Sequence, residues 1–344
     1  MNNESDWPVI RVIRTTANRL AAAAPSLPGP AVRAGMPPGV PTGVPPGVPA
    51  PLEVEQRAGG ENFPVASLLL PSGSRPHILA VYGFARLVDQ LGDDAPGDRL
   101  ALLSWLEDEL RRAYAGRATY PLLRRLSATI AAYRLPEEPF LALIEANRRD
   151  QVQHRYATWD DLLSYCELSA NPVGRLVLHI FGAATADRER WSDAVCTGLQ
   201  LVEHAQDVRE DAGRGRVYLP EEDLRSLRCD ATDLTAATTS PALAAVLARL
   251  LSRAAALLEE GSPLVHSLRG RARLAVAGFV GGGRAAAAAI EAHDYEVLAG
   301  SPRAGKGEVA REVAATLWRA RRSASLRNDN RAMPDPIPPA KEPA

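Results

Sequence analysis

The chain has 344 residues, 46% apolar and 24% charged, with a formal net charge of −1. That balance excludes wholesale disorder, a basic surface built for nucleic acid and an acidic solvating tail. Cys166, Cys196 and Cys229 lie far apart with no CxxC or CxxH spacing, which argues against a zinc finger or a disulfide framework and reads as cytoplasmic. The longest apolar stretches are interrupted by Arg, Gly or His within about a dozen residues, short of a membrane span. The first residues, with Glu4, Asp6, Arg11 and Arg14, hold no uninterrupted apolar run of the kind a secretory signal needs.

Residues 1–57 read as a disordered, Pro/Gly-rich extension, with a short helix predicted from Trp7 to Ala23. Ten of the 28 prolines fall between 25 and 51, and a four-residue repeat, Pro-Pro-Gly-Val-Pro-Thr-Gly-Val-Pro-Pro-Gly-Val-Pro, runs from 37 to 49. Its glycines do not recur every third residue, which excludes collagen and predicts an extended, solvated spacer.

From 58 to 322 proline becomes sparse and apolar residues recur at three- and four-residue spacing. Helices are predicted near 76–94, 98–115, 118–133, 137–153, 159–181, 188–211, 220–227, 240–260, 262–280, 284–296 and 306–322. Thr158 with Asp161 fits a capping box, and Pro136 ahead of Glu137 and Glu138 fits a first turn. No segment sustains a period of two, so no sheet is expected. The fold class is all-α, a single helical domain, with a disordered tail at 323–344.

Two of these helices carry the chemistry. In 76–94, Asp89 and Asp93 stand four apart with Arg86 one turn below, amid Ile78, Leu79, Val81, Tyr82, Phe84, Leu87, Val88 and Leu91. Such a helix belongs in an interior, where carboxylates need cations. In 188–211, Gln200, Glu203, Asp207 and Asp211 follow spacings of three, four and four and so share one stripe. The alternative for each helix is an ordinary amphipathic surface with its acids in water. If the stripes face each other across a bundle core, they offer oxygen-only donors suited to Mg²⁺ shared with a phosphate. That arrangement points to diphosphate chemistry, with Arg86, Arg214 and Arg216 as candidates to share the leaving group's charge.

Four segments resemble the squalene/phytoene synthase family, in that family's order and over roughly residues 58–300. Arg86-Leu-Val-Asp89-Gln-Leu-Gly-Asp93-Asp94 resembles its first aspartate-rich motif, and Gln200-Leu-Val-Glu203-His-Ala-Gln206-Asp207-Val-Arg-Glu-Asp211 its second. Tyr165-Cys-Glu-Leu-Ser-Ala-Asn-Pro-Val-Gly174 is similar to its tyrosine-containing signature, and Arg214-Gly-Arg216-Val-Tyr218-Leu-Pro220 to the basic segment after the second motif. The resemblance implies an isoprenoid synthase fold with a central cavity. It implies Mg²⁺ held by Asp89, Asp93, Glu203, Asp207 and Asp211, and Tyr165, Tyr218 and Arg86 in catalysis. Arg86, Arg216, Phe63, Gln200 and Asn171 are implied to bind substrate. Asn171-Pro172 is expected to break its helix, since proline removes a donor and clashes with the preceding turn.

Within the family, Glu61-Asn-Phe63-Pro-Val-Ala-Ser67, Leu168–Arg175 and Gln206, standing where condensing members usually carry Arg, are most similar to the hydroxysqualene synthases of bacterial hopanoid pathways. The implied substrate is presqualene diphosphate, converted with water to hydroxysqualene. The implied functional partners are a presqualene diphosphate synthase upstream and a separate hydroxysqualene reductase downstream, in keeping with the lack of a dinucleotide fingerprint. The lipid substrate leaves room for a peripheral membrane contact, and no nucleic-acid partner is expected. Two departures stand out: Gln90 follows Asp89 where a second Asp is common, and Glu203 replaces the usual Asn. A head-to-head condensing synthase and a catalytically silent scaffold of the same shape stay open.

Overall fold

A computed structural model describes residues 43–50 and 73–331, with side chains as far as Arg319. The predicted Trp7–Ala23 helix, most of the 1–57 extension, Phe63 with its segment 61–67, and the end of the tail lie outside the described residues. Within them the chain runs α1 (Arg75–Asp89), a π-helical turn (Gln90–Asp94), α2 (Arg99–Tyr114), α3 (Pro121–Tyr133), α4 (Glu138–Arg149), β1 (Arg155–Tyr156), α5 (Trp159–Ser169) and α6 (Asn171–Ile180). It continues through α7 (Ala186–Gln206), α8 (Val208–Gly213), β2 (Val217–Pro220), α9 (Glu221–Ser226), a 3₁₀ turn (Asp233–Thr235), α10 (Pro241–Glu260), α11 (Pro263–Ser267), α12 (Gly270–Glu291) and α13 (Lys306–Arg331).

The ends are fixed by the expected local chemistry. Asp98, Thr185 and Ser240 each cap a helix by accepting a backbone N–H three residues on, and Thr158 and Asp161 complete a reciprocal capping box. Proline opens α3, α10 and α11, where its missing donor costs nothing. The core is Leu-rich: Leu87, Leu91, Leu103, Leu106, Leu123 and Leu143 are fully buried. Phe84 and Phe140 meet edge to face at 5.0 Å. α7 is the central helix, packed on α6, α10 and α12, and α6 in turn also packs on α1.

The all-α expectation holds, as does the break expected at Asn171-Pro172, with four local corrections. The 159–181 helix divides at Ala170, as Asn171-Pro172 requires. The anticipated break at Gly281-Gly282-Gly283 is absent, and α12 runs through it. There a Cβ on Gly281 would lie 2.7 Å from the Val313 nitrogen, and one on Gly283 2.4 Å from Leu199, so the glycines serve close helix approach. β1 and β2 form a short parallel pair, too brief for any periodicity to announce it. α13 passes 322 and reaches Arg331, since no breaker intervenes before Pro334. By length and composition Pro241–Ser267 and Gly270–Glu291 are apolar enough to cross a membrane; their interruptions do not lower mean hydropathy enough to exclude them. Both nevertheless contribute residues to the core, Leu250 and Ala254 from α10, Ala277 and Val280 from α12.

The proline repeat also departs from expectation. Over residues 43–50 it is folded against the body and is not a solvated spacer. The Val48 N–H donates to the Pro45 carbonyl at 3.3 Å, and Gly47 has φ +95°. Proline then glycine at the two central positions fits a type II turn. Val44 and Val48 pack on the core, and the buried Tyr120 hydroxyl donates to the Pro49 carbonyl at 2.7 Å.

Candidate active site

The first acidic motif straddles the end of α1. Arg86 and Asp89 are buried in the α-helical part, and the chain then widens into the π-helical turn that carries Asp93, half-buried, and Asp94, exposed. Insertions of this kind re-aim side chains and concentrate at functional sites. α4 fixes the turn from outside. Gln151 Nε2 donates to the Gly92 carbonyl at 2.9 Å, and a Cβ on Gly92 would lie 2.2 Å from Asn147 Oδ1.

The second motif also differs from the single helix predicted over 188–211. α7 ends at Gln206, and Asp207 leaves helical geometry at φ −102°, ψ 9°. The hydrogen-bond ladder nevertheless continues, Asp207 N–H to the Glu203 carbonyl at 2.9 Å and Asp211 N–H to the Asp207 carbonyl at 2.8 Å. Glu203, Asp207 and Asp211 therefore stay one turn apart each. Gln200 and Glu203 are buried, whereas Asp207 and Asp211 are half-buried. Burial first, then the charges of Asp207 and Glu210, push the Asp211 carboxyl well above its ordinary range.

All four recognised segments are linked through contacts at one place. Arg216, just past the second motif, pairs with Asp93 of the first at 2.8 Å. Tyr165 on α5 and Tyr218 on β2 both donate to Asp150 at the end of α4, at 2.7 Å to Oδ2 and 3.0 Å to Oδ1. His204, inside the second motif, stacks on Tyr218 with ring centres 4.3 Å apart and planes within 12°. Tyr156 of β1 completes the cluster, stacked on Tyr218 at 5.7 Å.

The electrostatics follow from burial. The Asp150 carboxyl is pushed up to about 6 by desolvation and by Asp93, against the opposing pull of Arg216 and the two phenols. Burial works against the Arg216 charge, but Tyr218, Asp93 and Asp150 outweigh it and hold the guanidinium protonated. Tyr165 and Tyr218 are raised well above the usual phenol range, first by burial and then by Asp150, so both keep their protons. Burial pushes the His204 imidazole down to about 3. It stays neutral, hydrogen-bonded to the Gln200 amide at 3.1 Å.

Of the other expected residues, Asn171 is buried and accepts from Thr197 Oγ1 at 2.9 Å, tying α6 to α7. Arg214 pairs with Glu210 at 3.1 Å outside the cluster. The three cysteines are free and buried. Sequence reasoning missed Asp150, Tyr156 and the placement of His204. The only trace of Asp150 was an acid closing the apolar 137–153 segment.

The expected cation would meet an all-oxygen donor set of the right kind: Asp89, Asp93, Glu203, Asp207 and Asp211. Among the described residues no three acids, histidines or cysteines converge tightly enough to enclose an ion alone.

The chain matches the squalene/phytoene synthase family over residues 56–319. It is 38% identical over 211 residues to the hydroxysqualene synthase of Rhodopseudomonas palustris, covering 61% of this chain and 72% of that one. It is 32% identical over 252 residues to the 15-cis-phytoene synthase of Synechococcus elongatus, covering 69% and 82%. The crystal structure of squalene synthase HpnC from Alicyclobacillus acidocaldarius superimposes with a TM-score of 0.68 at 46% identity, over 71% of this chain and 94% of that one. Motifs, fold and match over more than half the chain agree: the protein belongs to the squalene/phytoene synthase family.

Proposed function

We propose that the chain converts presqualene diphosphate and water to hydroxysqualene and diphosphate. The observation that carries this reading is the junction of all four motifs around the Asp93–Arg216 pair and the buried tyrosine cluster. Support for the particular reaction comes from Gln206 and from the likeness to the hydroxysqualene synthases of Rhodopseudomonas palustris and Sinorhizobium fredii, 38% and 36% identical.

The chain's own groups divide the work. Arg216 and Arg86 would receive a diphosphate, whose carbon–oxygen bond breaks with the electron pair leaving on oxygen. Mg²⁺ bound by Asp89, Asp93, Glu203, Asp207 and Asp211 would supply further neutralisation of that leaving group. The apolar interior keeps bulk water from the carbocation. A single water then forms the new carbon–oxygen bond and gives up one proton, which the departed diphosphate can accept. The substrate comes from a presqualene diphosphate synthase and the product passes to a reductase, with peripheral contact at the membrane that holds both lipids.

The experiment is incubation with presqualene diphosphate and Mg²⁺, with identification of the product. Hydroxysqualene with stoichiometric diphosphate is the expected result. The likeness to a phytoene synthase favours one alternative, head-to-head condensation. Formation of presqualene diphosphate, squalene or phytoene from prenyl diphosphates, with presqualene diphosphate left unhydrated, would replace the proposal with it.

A further inference from the structure

Resting on the reading of this site as one that ionises a prenyl diphosphate, we infer that Asp150 is a positioning residue that accepts a hydrogen bond from each of the two active-site phenols and so fixes where their protons point. Tyr165 and Tyr218 then meet the substrate as electron-rich oxygens and rings, and neither is the acid that protonates the departing diphosphate.

A phenol has one proton to donate. Tyr165 commits its proton to Asp150 Oδ2 and Tyr218 to Oδ1, so one carboxylate occupies both donors. Asp150 is only 5% exposed, and its two oxygens point to two different elements, α5 and β2. The carboxylate thus sets the rotation of both hydroxyls at once. The rings themselves are held independently: Tyr156, Tyr165 and Tyr218 contact one another with centres 5.2 to 5.7 Å apart, and His204 lies flat on Tyr218.

The charges agree with this division. Arg216 faces the first acidic motif through Asp93 and is the cation available to a diphosphate. Asp150, hydrogen-bonded to both phenol oxygens and within electrostatic reach of Arg216, is the anion that makes those oxygens more electron-rich toward a developing carbocation. When the carbon–oxygen bond breaks, the electron pair goes to diphosphate at the positive end. The positive charge on carbon is met by phenol oxygens and ring faces backed by a carboxylate, interactions that strengthen as charge develops. No proton needs to move from tyrosine in that step.

The test compares wild type with Asp150→Asn, Tyr165→Phe and Tyr218→Phe, using presqualene diphosphate with Mg²⁺ and following diphosphate release and products. Asp150→Asn is expected to lower kcat by roughly a hundredfold, the scale of a misaligned reacting group. KM should stay nearly constant, and a larger share of product should come from early capture of the carbocation. Each Phe variant keeps its ring but loses one oriented oxygen, and should lower diphosphate release by about tenfold, short of what loss of a general acid costs. In ultraviolet resonance Raman, the tyrosine Fermi doublet reports whether a phenol donates its proton, and Asp150→Asn should shift it.

Unchanged kcat and products in Asp150→Asn, or an unchanged doublet, would overturn the inference. So would loss of release in either Phe variant by roughly a hundredfold or more, which is the signature of a proton donor. If wild type ionises no prenyl diphosphate, the proposed function fails, and the doublet alone decides whether Asp150 holds the phenols. If Asp150→Asn does not fold, the Phe variants carry the decision.

Discussion

The two acidic motifs look alike as spacings and are built differently. The first sits on a helix that widens into a π-helical turn clamped by Gln151, and its outer acid, Asp93, is already paired with Arg216. The second keeps its hydrogen-bond ladder through a kink and presents three acids in succession, with Arg214 drawn away to Glu210. One segment thus lends its arginine to the other motif and keeps its own surplus of negative charge. Under the proposed function, the first motif would meet the substrate's diphosphate through Arg216 as well as share in binding Mg²⁺, and the second would carry the larger part of the cation's charge.

The sharpest way to break that contrast is at the second motif. Asp207→Asn should reduce diphosphate release from presqualene diphosphate by about 100- to 1,000-fold, the scale of losing one transition-state charge partner, and should raise the Mg²⁺ concentration for half-maximal rate. Equal Mg²⁺ dependence in Asp207→Asn and Asp93→Asn, measured by steady-state titration, would erase the distinction. Next comes Arg216→Gln, expected to cost on the order of a hundredfold in kcat/KM, with Arg216→Lys recovering only part because ammonium lacks the planar fork.

A third prediction concerns stability. The Asp150 carboxyl titrates at about 6 in the fold, above its ordinary 3.8. The folded state therefore binds the extra proton. The resulting stabilisation is complete below the unfolded pKa and is lost as pH rises through about 6. Relative to Asp150→Asn, wild type should lose about 2 kcal/mol between pH 4 and 7, a shift of roughly two units converted by linkage. Urea denaturation of both proteins at several pH values reads it, and a constant difference would contradict the burial of that carboxyl. The smallest effect lies outside both motifs. Tyr120→Phe removes the hydrogen bond to Pro49 and should cost about 1 kcal/mol, read by the same denaturation at neutral pH.

Much of this was legible in the chain itself. Three- and four-residue periodicity located the helices, and Asn171-Pro172 marked a true break, because such signals act within a turn or two of helix. The acids and arginines of the motifs could be named in advance for the same reason. What stayed hidden depends on contacts between distant segments. Asp150 acquires meaning only when α4, α5 and β2 bring it to two phenols, and His204 only when β2 lays Tyr218 on it. The three glycines of α12 read as a break because nothing local reveals the neighbours pressed against them. The widened turn at Gln90–Asp94 was equally silent, since its sequence also suits an ordinary helix.

The folded end of the proline repeat bears on how the protein can be handled. Gly47 lies against the Pro96 carbonyl, where a Cβ would come to 2.9 Å, two residues beyond the first acidic motif. A label joined directly at residue 43 would accordingly start close to the end of the first acidic motif and stands to disturb it.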